Sequence, residues 1–288
     1  MYIVGVTRSS AYSPNSNDLD IMQRVASLLQ NGGHRVELIS EDLLKGEPCS
    51  AKLYFSMARS EKALEVLKDR KQKGCIVVNA PNGVERCARI TVTRLMQQWG
   101  MDIPKSLVVQ TEALPTMPAS WKFPCWLKRG DACAQQRDDV SFISDEEELQ
   151  RAITLFCQRG IATAVVCEHL EGDILKFYGV AQTGFFYWYY PTLVADLHSK
   201  FGLEAINGPA CCYPFSAERL QQQVEAFAQY IEVPVYGGDA IVNAQGEWKL
   251  IDFNDWPSYS RCANDAASAI VKYLLSHVES EREGSGYI

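Results

Sequence analysis

The stretch Asp239–Asn254, reading DAIVNAQGEWKLIDFN, holds the residues whose types and spacing suggest chemistry most directly. Two strand-like runs, Ala240–Asn243 and Trp248–Asp252, flank the polar turn Ala244-Gln245-Gly246-Glu247. Asp252 and Asn254 lie two positions apart and therefore share one side of a strand. A hairpin would bring Asp239 alongside them. Two carboxylates and an amide oxygen on one face suit Mg²⁺, a hard cation that takes few protein oxygens and keeps positions for phosphates. Asp and Asn also serve strand ends and turns, so the hairpin alone leaves both readings open.

Further residues upstream suit the handling of phosphate. Lys128 ends the short apolar strand Trp126–Lys128, where an ammonium can reach an α- or β-phosphate or simply run out to solvent. The small, polar loop Gly130–Gln136 follows and could present backbone N–H groups to phosphates, although it lacks a Walker pattern. Cys167-Glu168-His169-Leu170-Glu171-Gly172-Asp173 leaves another strand, Ala164–Glu168. A chain leaving a strand can offer backbone groups to an adenine edge while a carboxylate takes ribose hydroxyls. Lys176 shares a strand face with Ile174 and Tyr178.

At 288 residues the chain suits two or three lobes. Its hydrophobic content of 47% and charged content of 22% are those of an ordinary globular enzyme. The net charge of −7 argues against a general nucleic-acid or membrane-surface binder. No apolar run reaches the roughly 18 residues of a membrane helix, and MYIVGV is too short for a signal h-region. Ten scattered cysteines form no CxxC and no zinc-finger spacing, which points to free thiols in a reducing, cytoplasmic setting.

The elements that must position these residues begin with a strand at Tyr2–Thr7. A helix over Leu19–Gln30, capped by Asn17 or Asp18, and a strand at Arg35–Ile39 follow. This order predicts a parallel α/β lobe. Helices are expected over Ser56–Lys73, Glu85–Trp99, Ala217–Ile231 and Asp265–Val278, and a strand over Cys75–Asn79. Ser144 with Glu147 reads as a capping box for a helix to about Arg159. Asp173–Gln182 and Phe185–Tyr190 alternate as a hairpin, whose aromatic run could line a pocket or pack on both sides. Glu279–Ile288 reads as a frayed tail. Arg8-Ser9-Ser10 follows the first strand, where an open α/β sheet places a ligand crevice.

The order of these parts resembles the ATP-grasp superfamily over roughly residues 75–275. A basic residue, Arg89, precedes Gly100-Met101-Asp102-Ile103-Pro104. Then come a strand lysine, Lys128, and a small-residue loop, Gly130–Gln136. An acidic segment with Glu171-Gly172 follows, and the series ends in Asp239 with Asp252-Phe253-Asn254 thirteen positions on. The resemblance implies an ATP-grasp fold of α/β class with α+β lobes. It implies an N-terminal parallel α/β domain over 1–82, a central lobe over 83–168 and a C-terminal lobe over 169–288. Arg89 and Lys128 would hold ATP phosphates, Glu168 and Leu170 would meet adenine, and Asp173 would meet ribose. Lys176 would face substrate or the γ-phosphate. Asp239, Asp252 and Asn254 would hold two Mg²⁺ ions.

The implied activity is an ATP-dependent ligase joining a small-molecule carboxylate to an amine through an acyl phosphate. A homodimer is left open, and neither nucleic acid nor a membrane is an expected partner. Two departures keep a kinase of the inositol-phosphate type as the alternative. Asp252 stands where most of the ligases carry Glu, and Gly237 stands where many amino-acid ligases carry an arginine. Arg261 could supply that charge from the loop after the metal residues. A nucleotide-binding regulator without turnover is the third reading.

Overall fold

A computed structural model describes residues 1–9, 17–46, 50–132, 134, 136–191 and 202–284. The first lobe is the parallel α/β unit that the strand–helix–strand order demands. Its sheet runs β2 (Arg35–Ser40), β1 (Tyr2–Thr7), β3 (Leu53–Ser56), β4 (Ile76–Val78), with every pair parallel. Helices α1 (Asn17–Asn31) and α2 (Glu61–Gln72) connect the strands. Asp18 sits inside the first turn of α1 and pairs with Arg8 at 2.7 Å instead of capping the helix. β3 occupies residues expected to lead into and begin a helix. Its four residues are all buried, so the run has no period to betray it. α2 starts only at Glu61, where the Ser60 hydroxyl caps Ala63 N–H.

The central lobe is an antiparallel sheet in the order β5 (Ser106–Gln110), β8 (Thr163–Glu168), β6 (Cys125–Arg129), β7 (Val140–Ile143). Helix α5 (Glu146–Gln158) lays Leu149, Ile153 and Phe156 onto it. The cap is one residue later than the sequence suggested. Asp145, not Ser144, accepts from Glu148 N–H at 2.8 Å, and Glu148, not Glu147, reaches back to Ser144 N–H at 2.7 Å. The predicted helix over 85–99 is split into α3 (Pro81–Arg86) and α4 (Arg89–Trp99). The expected boundary at 82 therefore falls inside α3, and the buried Val92 and Met96 of α4 join the core of the C-terminal lobe.

That last lobe is the antiparallel sheet β10 (Phe185–Tyr189), β9 (Asp173–Val180), β11 (Val235–Val242), β12 (Trp248–Asp255), backed by α6 (Ala217–Tyr230). Helix α7 (Ala263–Gly284) then returns to the first lobe, and its backbone stays helical past Glu279, where a frayed tail was expected. Ile21, Val25 and Leu29 of α1 share one core with Trp256, Tyr259, Ala266, Ile270 and Leu274. Polar ties reinforce this seam. The Asn79 side-chain amide pairs with both backbone groups of Val235, at 2.8 and 2.9 Å, as a strand neighbour would. Arg59 pairs with the buried Asp255 at 2.7 Å.

Candidate nucleotide and metal site

The antiparallel register of β9, β11 and β12 assembles the polar cluster. Asp239 lies opposite Lys176 on one side and Asp252 on the other, while Asn254 lies opposite Gly237. A register shift between Asp239 and Ala240 re-aims this end of the hairpin. Lys176 Nζ stands 3.3 Å from Asp239 and 3.1 Å from Glu204. Asp252 receives Arg89 at 3.2 Å and a hydrogen bond from Asn254.

The facing carboxylates are pushed in opposite directions. Burial raises Asp239, with Lys176 opposing and Asp252 adding to the shift. Burial acts on Asp252 too, but Arg89 and Lys128 outweigh it and hold that carboxyl below its usual range. Burial likewise disfavours the Lys176 ammonium, yet Asp239 and Glu204 hold it well above the ordinary lysine value. The cluster offers only oxygen donors to a cation, together with lysine and arginine that presently balance their charge. That donor chemistry fits Mg²⁺ and not a softer metal.

Beside the cluster a cleft separates the central lobe from the C-terminal sheet. It is lined by Arg89, Lys128, Met96, Ile103, Val165 and Leu250, so basic groups stand at an apolar slot. Lys128 is 9% exposed and its Nζ donates to Ile251 C=O at 3.0 Å, which aims it across the cleft and not out to solvent. Of the loop Gly130–Gln136, Cys133 and Gln135 lie outside the described residues, as do Ser10 and Cys49. The base of the loop is anchored where Arg129 and Arg159 converge on the fully buried Asp139.

At the far end of the cleft Glu168 accepts from Lys105 N–H at 2.9 Å and from Lys249 at 3.2 Å. The carbonyls of Leu170 and Gly172 accept from the Asn207 amide at 2.9 and 3.2 Å. His169 receives Trp126 Nε1–H at 3.2 Å and stacks edge-on with Phe142. Asp173, the expected ribose contact, has partners within the protein. It is buried and accepts the backbone N–H groups of Cys211 and Tyr213 at 2.7 and 2.9 Å. Its carboxylate staples a distant segment to β9.

Arg8 is also spent on structure. It pairs with Asp18, donates to Met57 C=O at 3.3 Å and approaches Asp255 at 3.8 Å. Arg261 does stand near the cluster, its guanidinium 4.3 Å from the centre of the Tyr189 ring, and Tyr189 lies opposite Lys176. The aromatic run of β10 is a two-sided strand. Tyr187 and Tyr189 stack towards Tyr178, while Phe186 and Trp188 pack against Phe177 and Phe215. Gly237 is a steric requirement: a Cβ there would meet Pro257 Cγ at 2.8 Å and Tyr178 Cδ1 at 2.9 Å. No arginine fits that position.

No protein-family model and no curated protein matches the sequence. Solved structures do. A RimK-domain ATP-grasp protein from Sphaerobacter thermophilus aligns with a TM-score of 0.67 and 14% identity, over 95% of this chain and 99% of its own. D-alanine–D-alanine ligase from Bacillus anthracis, solved with ATP, aligns with a TM-score of 0.67 and 11% identity, over 98% of this chain and 99% of its own. The same ligase, in a second structure, gives 0.68. The chain has the ATP-grasp fold. Among the described residues no helix is long and apolar enough to cross a membrane.

Proposed function

We propose that this protein is an ATP-dependent ligase that joins a small-molecule carboxylate to an amine. The observation that carries the proposal is the polar cluster at the cleft. Asp239 and Asp252 face each other on paired strands with Asn254 beside them, and Arg89, Lys128 and Lys176 surround them. Asp239, Asp252 and Asn254 would hold Mg²⁺, which supplies charge neutralisation for the triphosphate. Met96, Ile103, Val165 and Leu250 would form the walls of the purine slot. Glu168 and the backbone of Leu170 would meet the purine edge.

The reaction is a phosphoryl transfer followed by an acyl transfer. A substrate carboxylate oxygen attacks the γ-phosphorus and ADP leaves. The amine nitrogen then attacks the acyl carbon, phosphate leaves, and the nitrogen loses a proton to solvent. The protein's share is to position reactants and offset charge. Arg89 and Lys128 face the transferring phosphate, and Lys176 and Arg261 face the acyl end. Arg261 takes the part that an arginine at position 237 cannot play, because Gly237 has no room for a side chain.

The Gly237 site also favours a second reading, a small-molecule kinase with a hydroxyl acceptor. A kinase forms no tetrahedral acyl intermediate and needs no arginine there. ADP release decides the matter: carboxylates and amines are screened, and products are identified by mass spectrometry. An amide product supports the ligase, and a phosphorylated alcohol as sole product overturns it. Lys128→Ala and Asp252→Ala should abolish ADP release while circular dichroism stays native. Normal turnover by either folded variant removes the site assignment.

A further inference from the structure

Glu204 lies in a short 3₁₀ segment, Leu203–Asn207, far from every motif that marks the cleft in the sequence. Its side chain is 13% exposed, and its carboxylate lies 3.1 Å from Lys176 Nζ. The same ammonium stands 3.3 and 3.4 Å from the two oxygens of Asp239. Lys176 is therefore shared between a carboxylate placed to bind a cation and one that is not on the metal hairpin. Three residues along the same segment, Asn207 donates to the Leu170 and Gly172 carbonyls. One turn of chain thus touches both Lys176 and the backbone between β8 and β9.

An ammonium and a divalent cation compete for Asp239. Lys176 is only 18% exposed, so it cannot leave Asp239 for water without a desolvation cost. A second partly buried carboxylate, Glu204, gives it somewhere to go. We propose that Glu204 is a positioning residue that draws the Lys176 ammonium off Asp239 when a divalent cation binds, and that the Leu203–Asn207 segment links this exchange to the Leu170–Gly172 backbone expected beside the purine. The proposal rests on the ATP-site reading above.

The test is calorimetric binding of a non-hydrolysable ATP analogue to the full-length protein, over a series of Mg²⁺ concentrations. Four proteins are compared: wild type, Glu204→Gln, Lys176→Met and the double variant. Glu204→Gln keeps the side-chain shape and removes the charge. It should raise the Mg²⁺ concentration for half-maximal tightening by about fivefold or more, as the loss of one close partly buried charge implies, with metal-free affinity unchanged. In the Lys176→Met background the same change should shift that concentration by less than about twofold, because the two residues act through one interaction. An unshifted Mg²⁺ dependence in Glu204→Gln overturns the proposal. An equal shift in metal-free binding also overturns it, by showing a merely structural role, as does an undiminished effect in the Lys176→Met background. Wild-type protein that binds no analogue at any Mg²⁺ concentration refutes the ATP-site reading itself.

Discussion

Arg59→Met probes the seam between the first lobe and β12, the strand that carries Asp252 and Asn254. Asp255 is 1% exposed, and Arg59 is its close partner at 2.7 Å, with Arg8 more distant at 3.8 Å. Removing Arg59 leaves a buried carboxylate whose nearer charge partner is gone. Breaking a buried ion pair from one side typically costs 3–5 kcal/mol. Arg8 remains and Arg59 is 21% exposed, so the lower end, about 3 kcal/mol, applies. At roughly 2–4 °C per kcal/mol for a chain of this size, the midpoint should fall by about 6–12 °C. The assay is thermal and urea unfolding followed by circular dichroism. First and last lobes share one core, so they should lose structure in one transition. The double variant Arg59→Met/Asp255→Leu replaces the pair by apolar groups of similar size. It should be more stable than the single variant, because Arg8 keeps Asp18 at 2.7 Å. A single-variant loss under about 1 kcal/mol, or a double variant less stable than the single one, refutes the reasoning.

Gly237→Ala should lower stability by about 1–3 kcal/mol through overpacking against Pro257 and Tyr178, and Pro257→Ala in the same chain should recover part of that loss in the melting midpoint. The hydrogen bond from Lys71 holds the Glu232 carboxyl below its usual 4.5, with Arg86 assisting against partial burial. A depressed folded value means that this stabilisation is complete above about pH 4.5 and is lost as pH falls through the folded value. Glu232→Gln should therefore flatten the acid limb of a stability–pH curve measured by urea titration, with an effect within about 1 kcal/mol at neutral pH. Burial raises the Cys125 thiol to about 11 and the Cys262 thiol to about 12. Both should resist Ellman's reagent in the native protein at pH 8, while the exposed Cys157, Cys211 and Cys212 react.

The residues proposed for the site differ in how far the sequence disclosed them. Asp252 and Asn254 were legible because a strand's period of two fixes which side chains share a face, and Asp239 because a turn-forming tetrad implied the hairpin. Lys128 and Arg89 became legible through the order of parts. Glu204 and Asn207 were not, because their partners at 176 and at 170 and 172 lie beyond any local period. The protein partners of Asp173 were hidden for a related reason. A carboxylate after Glu171-Gly172 looks poised for a ligand, yet its acceptors are consumed by amides from residues 211 and 213. Among elements, β3, β5 and β7 carried no alternation strong enough to announce them, since β3 is buried throughout and most residues of the other two are half-buried.

The core that joins α1 to α7 sets a schedule for synthesis. Ile21, Val25 and Leu29 leave the ribosome early, but Ala266, Ile270 and Leu274, which cover them, come roughly 240 residues later. At 5–20 residues per second, the nascent first lobe holds an uncovered apolar flank for about 12–50 s. Its β-sheet can close in that interval while its outer helix has nothing to rest against. Chaperones that bind apolar surface have their natural window here, and loss of the last helix would leave that flank open for the lifetime of the chain.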